Sequence, residues 1–337
     1  MKFQNPVVVG SGSWGTALAI FLANKCRQVH LIGRDERVTA AINSTHCNER
    51  YLPNSTLPQN LVATTDLSLV TQADLLLFVV PTKATRSTAE KLVSLNIPES
   101  AVILSCAKGI ELATGKRMSQ IIGDYFPSNQ IAVLSGPNHA EEIAEGLPAA
   151  ATIGCSNEEV GLALQDIFAT DRFRSYTNHD IAGIELGGAI KNVYAIAAGV
   201  TMGLKLGDNA ISALVTRALA EMTRLGTDLG GKTETFAGLS GLGDLIATCF
   251  SVHSRNHKVG LALGQNRSLE EIVRELGMVA EGVPNTRSIY EAARRAGTRT
   301  PILDVVYAVI YENVPENKFK YAFLNSRHNF HRRVHYV

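Results

Sequence analysis

Short, nearly continuous apolar runs alternate with longer segments whose apolar residues recur at helical spacing. Residues 7–9, 29–32, 74–81, 101–106 and 131–135 read as strands. None alternates apolar with polar, so each is predicted to be buried on both faces, as in a parallel sheet covered by helices. Between them, residues 83–95 and 115–123 read as helices, and 149–154 and 172–176 as further strands at one edge. This alternation predicts an α/β architecture with an N-terminal doubly wound, Rossmann-type sheet. From about residue 181 the strand signals give way to helical periodicity over 181–200, 209–225, 268–276, 286–296 and 302–311, which predicts an all-α C-terminal domain. The expected division is therefore 1–180 and 181–337.

The first strand runs straight into Gly10-Ser11-Gly12-Ser13-Trp14-Gly15 and then the apolar, helix-forming Thr16 to Ala23. Strand, G-x-G-x-x-G and helix in that order form the context of a dinucleotide-binding turn. Gly10 suits the tight turn, Gly12 the approach of a pyrophosphate, and Gly15 close helix–strand packing. The anion would sit on the free N–H groups of the helix start. The second strand ends Ile32-Gly33-Arg34-Asp35. Arg34 can receive the 2′-phosphate of NADP(H), with Gly33 leaving room for it, whereas Asp35 can accept from the ribose 2′-hydroxyl of NAD(H). The residues favour NADP(H) and leave NAD(H) open.

The 337 residues allow two sizeable cores, and a net charge of +1 gives no electrostatic footprint for nucleic acid. Five scattered cysteines with no C-x-x-C argue for a reducing compartment and against structural zinc. With no signal-peptide pattern and no run as pure as a membrane span, a cytoplasmic enzyme is expected. The tail from 317 to 337 carries basic residues and no acids. It reads as a solvated end or as a contact for anionic surfaces.

Candidate chemistry gathers in four places. Lys191 sits in a run, 184–198, that is apolar nearly all round, with no carboxylate at helical spacing. An ammonium there needs a distant partner, or must reach for water. Gly187 and Gly188 would leave space beside it for a flat ligand. Asp244 and Thr248 lie four apart after the glycines 238, 241 and 243, where Asp244 either faces a site or caps a helix. Ser254-Arg255-Asn256 suits phosphate recognition and equally suits a polar loop. Lys108 follows a buried strand at the edge where ligands collect, or is a surface lysine at a turn.

These pieces occur in order: residues 10–19, Ala-Lys-Gly at 107–109, Ser-Gly-Pro at 135–137, Gly-Gly-Ala-Ile-Lys-Asn at 187–192, Gly-Leu-Gly-Asp at 241–244, Ser-Arg-Asn at 254–256 and Glu-Gly at 281–282. Together, from about residue 7 to 310, they resemble bacterial NAD(P)-dependent glycerol-3-phosphate dehydrogenase. Ser11 stands where that family usually has Ala, and Asn138 where it more often has Ser or Thr. The chain after residue 314 does not follow the family pattern.

The resemblance implies reversible reduction of dihydroxyacetone phosphate to sn-glycerol 3-phosphate by NADPH or NADH, supplying glycerol phosphate for phospholipid synthesis. It implies Lys191 as the proton donor or acceptor at the C2 oxygen, with Lys108, Asn192, Asp244 and Thr248 around that oxygen and the substrate hydroxyl. Ser254, Arg255 and Asn256 would hold the phosphate, and Gly136 and Asn138 would line the substrate side. Gly10, Gly12 and Gly15 belong to the cofactor turn. Ser13, Trp14, Arg34, Lys108, Ala140, Arg255, Val279 and Glu281 would contact the cofactor. The expected partner is this small-molecule substrate, with no nucleic acid and no membrane span; a homodimer through the helical domain is a further expectation. A 3-hydroxyacid or 6-phosphogluconate-type dehydrogenase shares the two-domain plan but is less well served by Ser254-Arg255-Asn256 and Gly241 to Asp244. A non-catalytic nucleotide sensor would have no need of Lys191, Asp244 and Arg255 together.

Overall fold

The computed structural model describes residues 2–276, 280–312 and 314. Val279 and the basic stretch 317–337 lie outside them. Ten strands follow in chain order: β1 (Pro6–Val9), β2 (Val29–Ile32), β3 (Cys47–Asn48), β4 (Leu52–Thr56), β5 (Leu61–Thr64), β6 (Leu75–Phe78), β7 (Val102–Ser105), β8 (Ile131–Ser135), β9 (Ala149–Cys155) and β10 (Phe173–Asn178). Eight of them form one sheet in the order β10-β9-β8-β7-β6-β1-β2-β5, and β3 pairs with β4 in a separate hairpin. The helices of this half are α1 (Ser13–Ala23), α2 (Glu36–Thr45), α3 (Thr85–Val93), α4 (Met118–Tyr125), α5 (Ala140–Ala144) and α6 (Glu158–Phe168).

The five expected core strands are all present, and β1, β6 and β7 are buried at every position. Burial on both faces explains their unbroken apolar character. The strand order reverses between β1 and β6, which opens the ligand crevice of such sheets at their carboxyl ends. The sheet is not parallel throughout: β9 runs antiparallel to β8, and β10 follows β9 in parallel. The helix expected at 115–123 starts later, at Met118. Gly115 is in the left-handed region at φ +73°, and residues 110 and 117 form an isolated bridge before the helix begins.

The remaining helices are α7 (Ile181–Gly203), α8 (Asp208–Asp228), α9 (Thr233–Phe236), α10 (Asp244–Phe250), α11 (Arg255–Gly264), α12 (Leu269–Leu276), α13 (Gly282–Ala296) and α14 (Pro301–Tyr311). Helix α7 is long and apolar enough to cross a membrane by length and composition, yet 89% of its apolar window is buried inside the protein. It is the axis on which α8, α10, α11 and α13 pack. Its contact with α11 is unusually close: a Cβ on Gly260 would lie 2.0 Å from the Ile196 carbonyl oxygen, and one on Gly199 2.2 Å from that of His257. Glycines at this crossing bring the start of α11 beside the middle of α7.

Candidate functional site

The glycine turn behaves as its spacing implies. A Cβ at Gly15 would stand 1.8 Å from the Gly10 carbonyl oxygen, so only glycine lets α1 seat on the turn. Gly10 has φ +123° and no room for a Cβ against the Val79 main chain, whereas the Cβ direction of Gly12 is open to 4 Å. Helix α1 has no side-chain cap. Its first N–H groups and the open face at Gly12 are therefore suited to a pyrophosphate. This fits a bound dinucleotide.

At the end of β2, Arg34 is exposed. Asp35 is already engaged: Oδ1 accepts from the Arg37 N–H at 3.0 Å as the N-cap of α2, and Oδ2 lies 3.5 Å from Arg50 on the β3–β4 hairpin. The expected room at Gly33 is filled, since a Cβ there would come 2.5 Å from the Ser11 hydroxyl.

The centre is a trio of charges, Lys191 and Asp244 buried and Lys108 partly so. Lys191 Nζ donates to Asp244 Oδ1 and to Thr248 Oγ1, both at 2.5 Å. Lys108 Nζ donates to Asp244 Oδ2 at 2.8 Å, to Asn138 Oδ1 at 2.7 Å and to the Gly136 carbonyl at 3.0 Å. Asp244 thus bridges the two ammonium groups, one oxygen to each, and is 2% exposed; Lys191 is 5% exposed. Its side chain is not the helix cap that its position allowed, since Gly243 is the N-cap of α10. The π-helical turn Leu239–Gly243 feeds the chain into α10 and aims Asp244 and Thr248 at α7.

The electrostatics follow from this geometry. Burial brings the Lys191 ammonium down to about 8; Asp244 opposes that shift, and the charge on Lys108 adds to it. Burial disfavours the Asp244 carboxylate, but the two lysines outweigh it and hold the group below the ordinary carboxylate range. Burial and then the charge of Lys191 lower His139, whose Nε2 lies 3.4 Å from the Ala247 carbonyl oxygen.

The glycines beside Lys191 do something other than expected. A Cβ on Gly188 would meet Ser135 Oγ at 2.4 Å and the Lys108 stem at 3.3 Å, and one on Gly187 would meet the Ser240 carbonyl oxygen at 2.5 Å. They admit neighbouring protein, including the Lys108 stem, rather than a flat ligand.

Ser254, Arg255 and Asn256 form a helix start and not a loop. Ser254 caps α11 by accepting from the His257 N–H at 3.2 Å. Arg255 Nη2 donates to Ser13 Oγ at 3.0 Å, which joins α11 to the glycine turn. Asn256 Nδ2 donates to Asn192 Oδ1 at 2.9 Å. Asn138 Nδ2 and Trp14 Nε1 are buried with no hydrogen-bond partner among the described residues, as donors awaiting a ligand would be. Glu281 accepts from the Thr82 N–H and hydroxyl, both at 3.1 Å, at the mouth of β6. Ala140 does not bring a side chain to the site; its methyl packs in the core cluster under the sheet, so only its backbone could meet a ligand.

Two participants are marked by no motif in the sequence: Thr82, and Asn285, whose Nδ2 donates to the Lys108 carbonyl at 2.8 Å. A signal for Asn285 existed. It falls on the buried stripe Gly282, Asn285, Thr286, Ile289 and Ala293, a polar residue on an inward helix face.

Two family models match the chain, NAD-dependent glycerol-3-phosphate dehydrogenase N-terminus over residues 6–161 and the corresponding C-terminus over 180–320. A glycerol-3-phosphate dehydrogenase (NAD(P)+) from Moorella thermoacetica is 46% identical over 313 residues, 93% of each chain. One from Lysinibacillus sphaericus is 44% identical over 91% of this chain and 92% of its own. The crystal structure of glycerol-3-phosphate dehydrogenase from Coxiella burnetii has a TM-score of 0.92 at 35% identity, covering 96% of this chain and 99% of that one. A ketopantoate reductase from Ralstonia eutropha, 19% identical with a TM-score of 0.58 over 94% of this chain and 100% of its own, shares the fold alone. With the glycine turn, the bridged lysines and matches that run through both halves, the chain belongs to the NAD-dependent glycerol-3-phosphate dehydrogenase family.

Proposed function

We propose that this protein catalyses the reversible reduction of dihydroxyacetone phosphate to sn-glycerol 3-phosphate with NADPH or NADH, and that the product supplies phospholipid synthesis. The observation that carries the reading is Asp244 holding Lys191 and Lys108 together beneath the carboxyl edge of the sheet. Reduction of a ketone builds negative charge on oxygen, and two adjacent ammonium groups suit that charge. The nicotinamide, when bound, supplies the hydride. In our reading Lys191 gives its proton to the C2 oxygen in reduction and takes it back in oxidation. An ammonium brought to about 8 can do both near neutrality. Lys108, Asn192, Asp244 and Thr248 surround the reacting oxygen and the hydroxyl, with Gly136 and Asn138 on the substrate side. The start of α11, where backbone N–H groups, Arg255 and Asn256 converge, takes the phosphate.

The cofactor side comprises Gly10, Gly12, Ser13, Trp14, Gly15, Lys108, Arg255 and Glu281, with the backbone of Ala140. Asp35 is occupied as a cap and beside Arg50. That leaves Arg34 the freer group at the 2′ position, which supports a preference for NADPH.

We divide the chain at about residue 180, because the apolar clusters of the sheet lie almost wholly before it and that of the helices after it. Free thiols at all five cysteines support a cytoplasmic setting. Ile246, Phe250 and Val252, exposed at 45%, 51% and 73%, support pairing of two copies through the helical part; a monomer mass in sedimentation would exclude it.

The direct test is loss of the 340 nm absorbance of NADPH or NADH when dihydroxyacetone phosphate is added to purified protein, with 3-hydroxyacids run in parallel for gain of that absorbance from NADP+ or NAD+. Turnover of hydroxyacids in its place would overturn the reading. Arg255→Ala is expected to raise KM for dihydroxyacetone phosphate by about tenfold or more, as loss of a charge-assisted contact of about 1.5–3 kcal/mol implies. Reduction of the phosphate-free ketone should be much less affected. Equal losses with both substrates would remove Arg255 from phosphate binding.

A further inference from the structure

The first turn of α13 is tied to both halves of the site. Asn285 is 1% exposed, and its Nδ2 donates to the Lys108 carbonyl at 2.8 Å. Its Oδ1 lies against the neighbouring Gly109, where an added Cβ would come within 2.8 Å. One turn earlier, the Gly282 N–H donates to Asn256 Oδ1 at 2.8 Å, and Asn256 in turn reaches Asn192, the residue next to Lys191. A closed circuit results: Lys191, Asp244, Lys108, Asn285, the first turn of α13, Asn256, Asn192 and back to Lys191.

Within that circuit the main chain of Lys108 is the least supported member. It follows the end of β7 and belongs to no helix or strand. Its ammonium nevertheless has to satisfy Asp244, Asn138 and Gly136 at once. Its stem is confined beside Gly188, where an added Cβ would meet it at 3.3 Å, so a shift of its backbone is passed to that end and not taken up along the stem; a displacement of about 1 Å at a reacting group can change a rate by about a hundredfold.

We infer that Asn285 is a positioning residue for the reaction: by gripping the Lys108 carbonyl it sets where the Lys108 ammonium stands relative to Asp244 and the substrate. This rests on the reading of Lys108 as part of the substrate site. The competing view is that Asn285 only fastens α13 to the sheet half. The two views differ in one respect. A fastening lost from α13 harms the protein whatever occupies position 108, whereas a positioning role has nothing to act through once the ammonium is gone.

A double-mutant cycle separates them. Wild type, Asn285→Ala, Lys108→Met and the double variant are compared for kcat, KM and Tm in dihydroxyacetone phosphate reduction. Asn285→Asp is a second variant, of the same shape but with an acceptor turned toward the Lys108 carbonyl. Asn285→Ala and Asn285→Asp are each expected to lower kcat by about tenfold or more. In the Lys108→Met background the same change should lower it by less than about twofold, because the coupling is then absent. An equal fold-loss in both backgrounds overturns the inference, as does an unchanged kcat in both single Asn285 variants. If Lys108→Met itself leaves kcat unchanged, the reading of Lys108 fails first, and that result is distinct from the other two.

Discussion

Replacing Lys191 by alanine is expected to lower kcat by about a hundred- to ten-thousand-fold in both directions, the range for loss of a positioned proton donor. The fold should survive, for a structural reason. Asp244 keeps Lys108 as its counter-ion at 2.8 Å, so no buried carboxylate is left without a cation. Lys191→Met, which preserves the apolar stem between α7 and α10, should be equally inactive. That would attribute the loss to the ammonium and not to a cavity. Lys191→Arg should not rescue either, because a guanidinium stays charged and cannot accept the proton. Binding of NADPH, followed by its fluorescence, should be unchanged in all three variants. Near-normal turnover in the alanine or methionine variant would remove Lys191 from the mechanism.

The second large effect is expected at Asp244. In Asp244→Asn the two lysines face each other without the carboxylate that separates them. Removing one partner of a buried ion pair destabilises by about 3–5 kcal/mol. Lys191 offsets part of this by releasing its proton, since the carboxylate that favoured its charged form is gone. The variant should therefore melt at lower temperature than wild type, with a midpoint for glycerol 3-phosphate oxidation shifted to lower pH. In wild type the sign is fixed by the depressed Asp244 group. Its contribution to stability is complete above the unfolded carboxylate range and is lost as pH falls through the lower folded value. The stability difference between wild type and Asp244→Asn should accordingly shrink in strong acid. An Asn variant with unchanged Tm and an unmoved midpoint would contradict the bridging role.

Much of this arrangement is written locally in the chain. Strands buried on both faces show no alternation of apolar and polar positions, so β1, β2, β6, β7 and β8 are legible from residue type even with His30, Ser105 and Ser135 among them. The direction of β9 is not, because an apolar strand carries the same residues whichever way its neighbour runs. Helix α2 is not legible, because only Thr39 and Ile42 among its residues are buried, too few to show a period. Helix α11 presents itself as a polar motif, since Ser254 to Asn256 masks the apolar face that follows. Lys191 stood out because an ammonium in an apolar helix demands an explanation. Its partner, 53 residues away, could be named only through the family motif. Asn285 and Thr82 act through hydrogen bonds to residues remote in sequence, the Lys108 carbonyl and the Glu281 carboxylate, and no spacing rule reports such contacts. The glycines 187 and 188 mislead for a related reason: a missing side chain shows that something comes close, not whether it is a ligand or the protein itself.

The central claim, that a buried Lys191 brought to about 8 moves the proton, is tested most directly by the pH dependence of kcat/KM for glycerol 3-phosphate oxidation, which reports the groups of the free enzyme. The ionisable groups facing Lys191 are Asp244, Lys108, Cys249 and His139. Burial pushes the Cys249 thiol up to about 12, so it stays neutral across the range of interest. Oxidation needs Lys191 neutral. Its rate should rise about tenfold per pH unit below pH of about 8 and level above it, and Lys191→Ala should lose that limb together with the activity. A wild-type profile that is flat across this window, or a residual Lys191→Ala activity that keeps the same limb, would contradict the account.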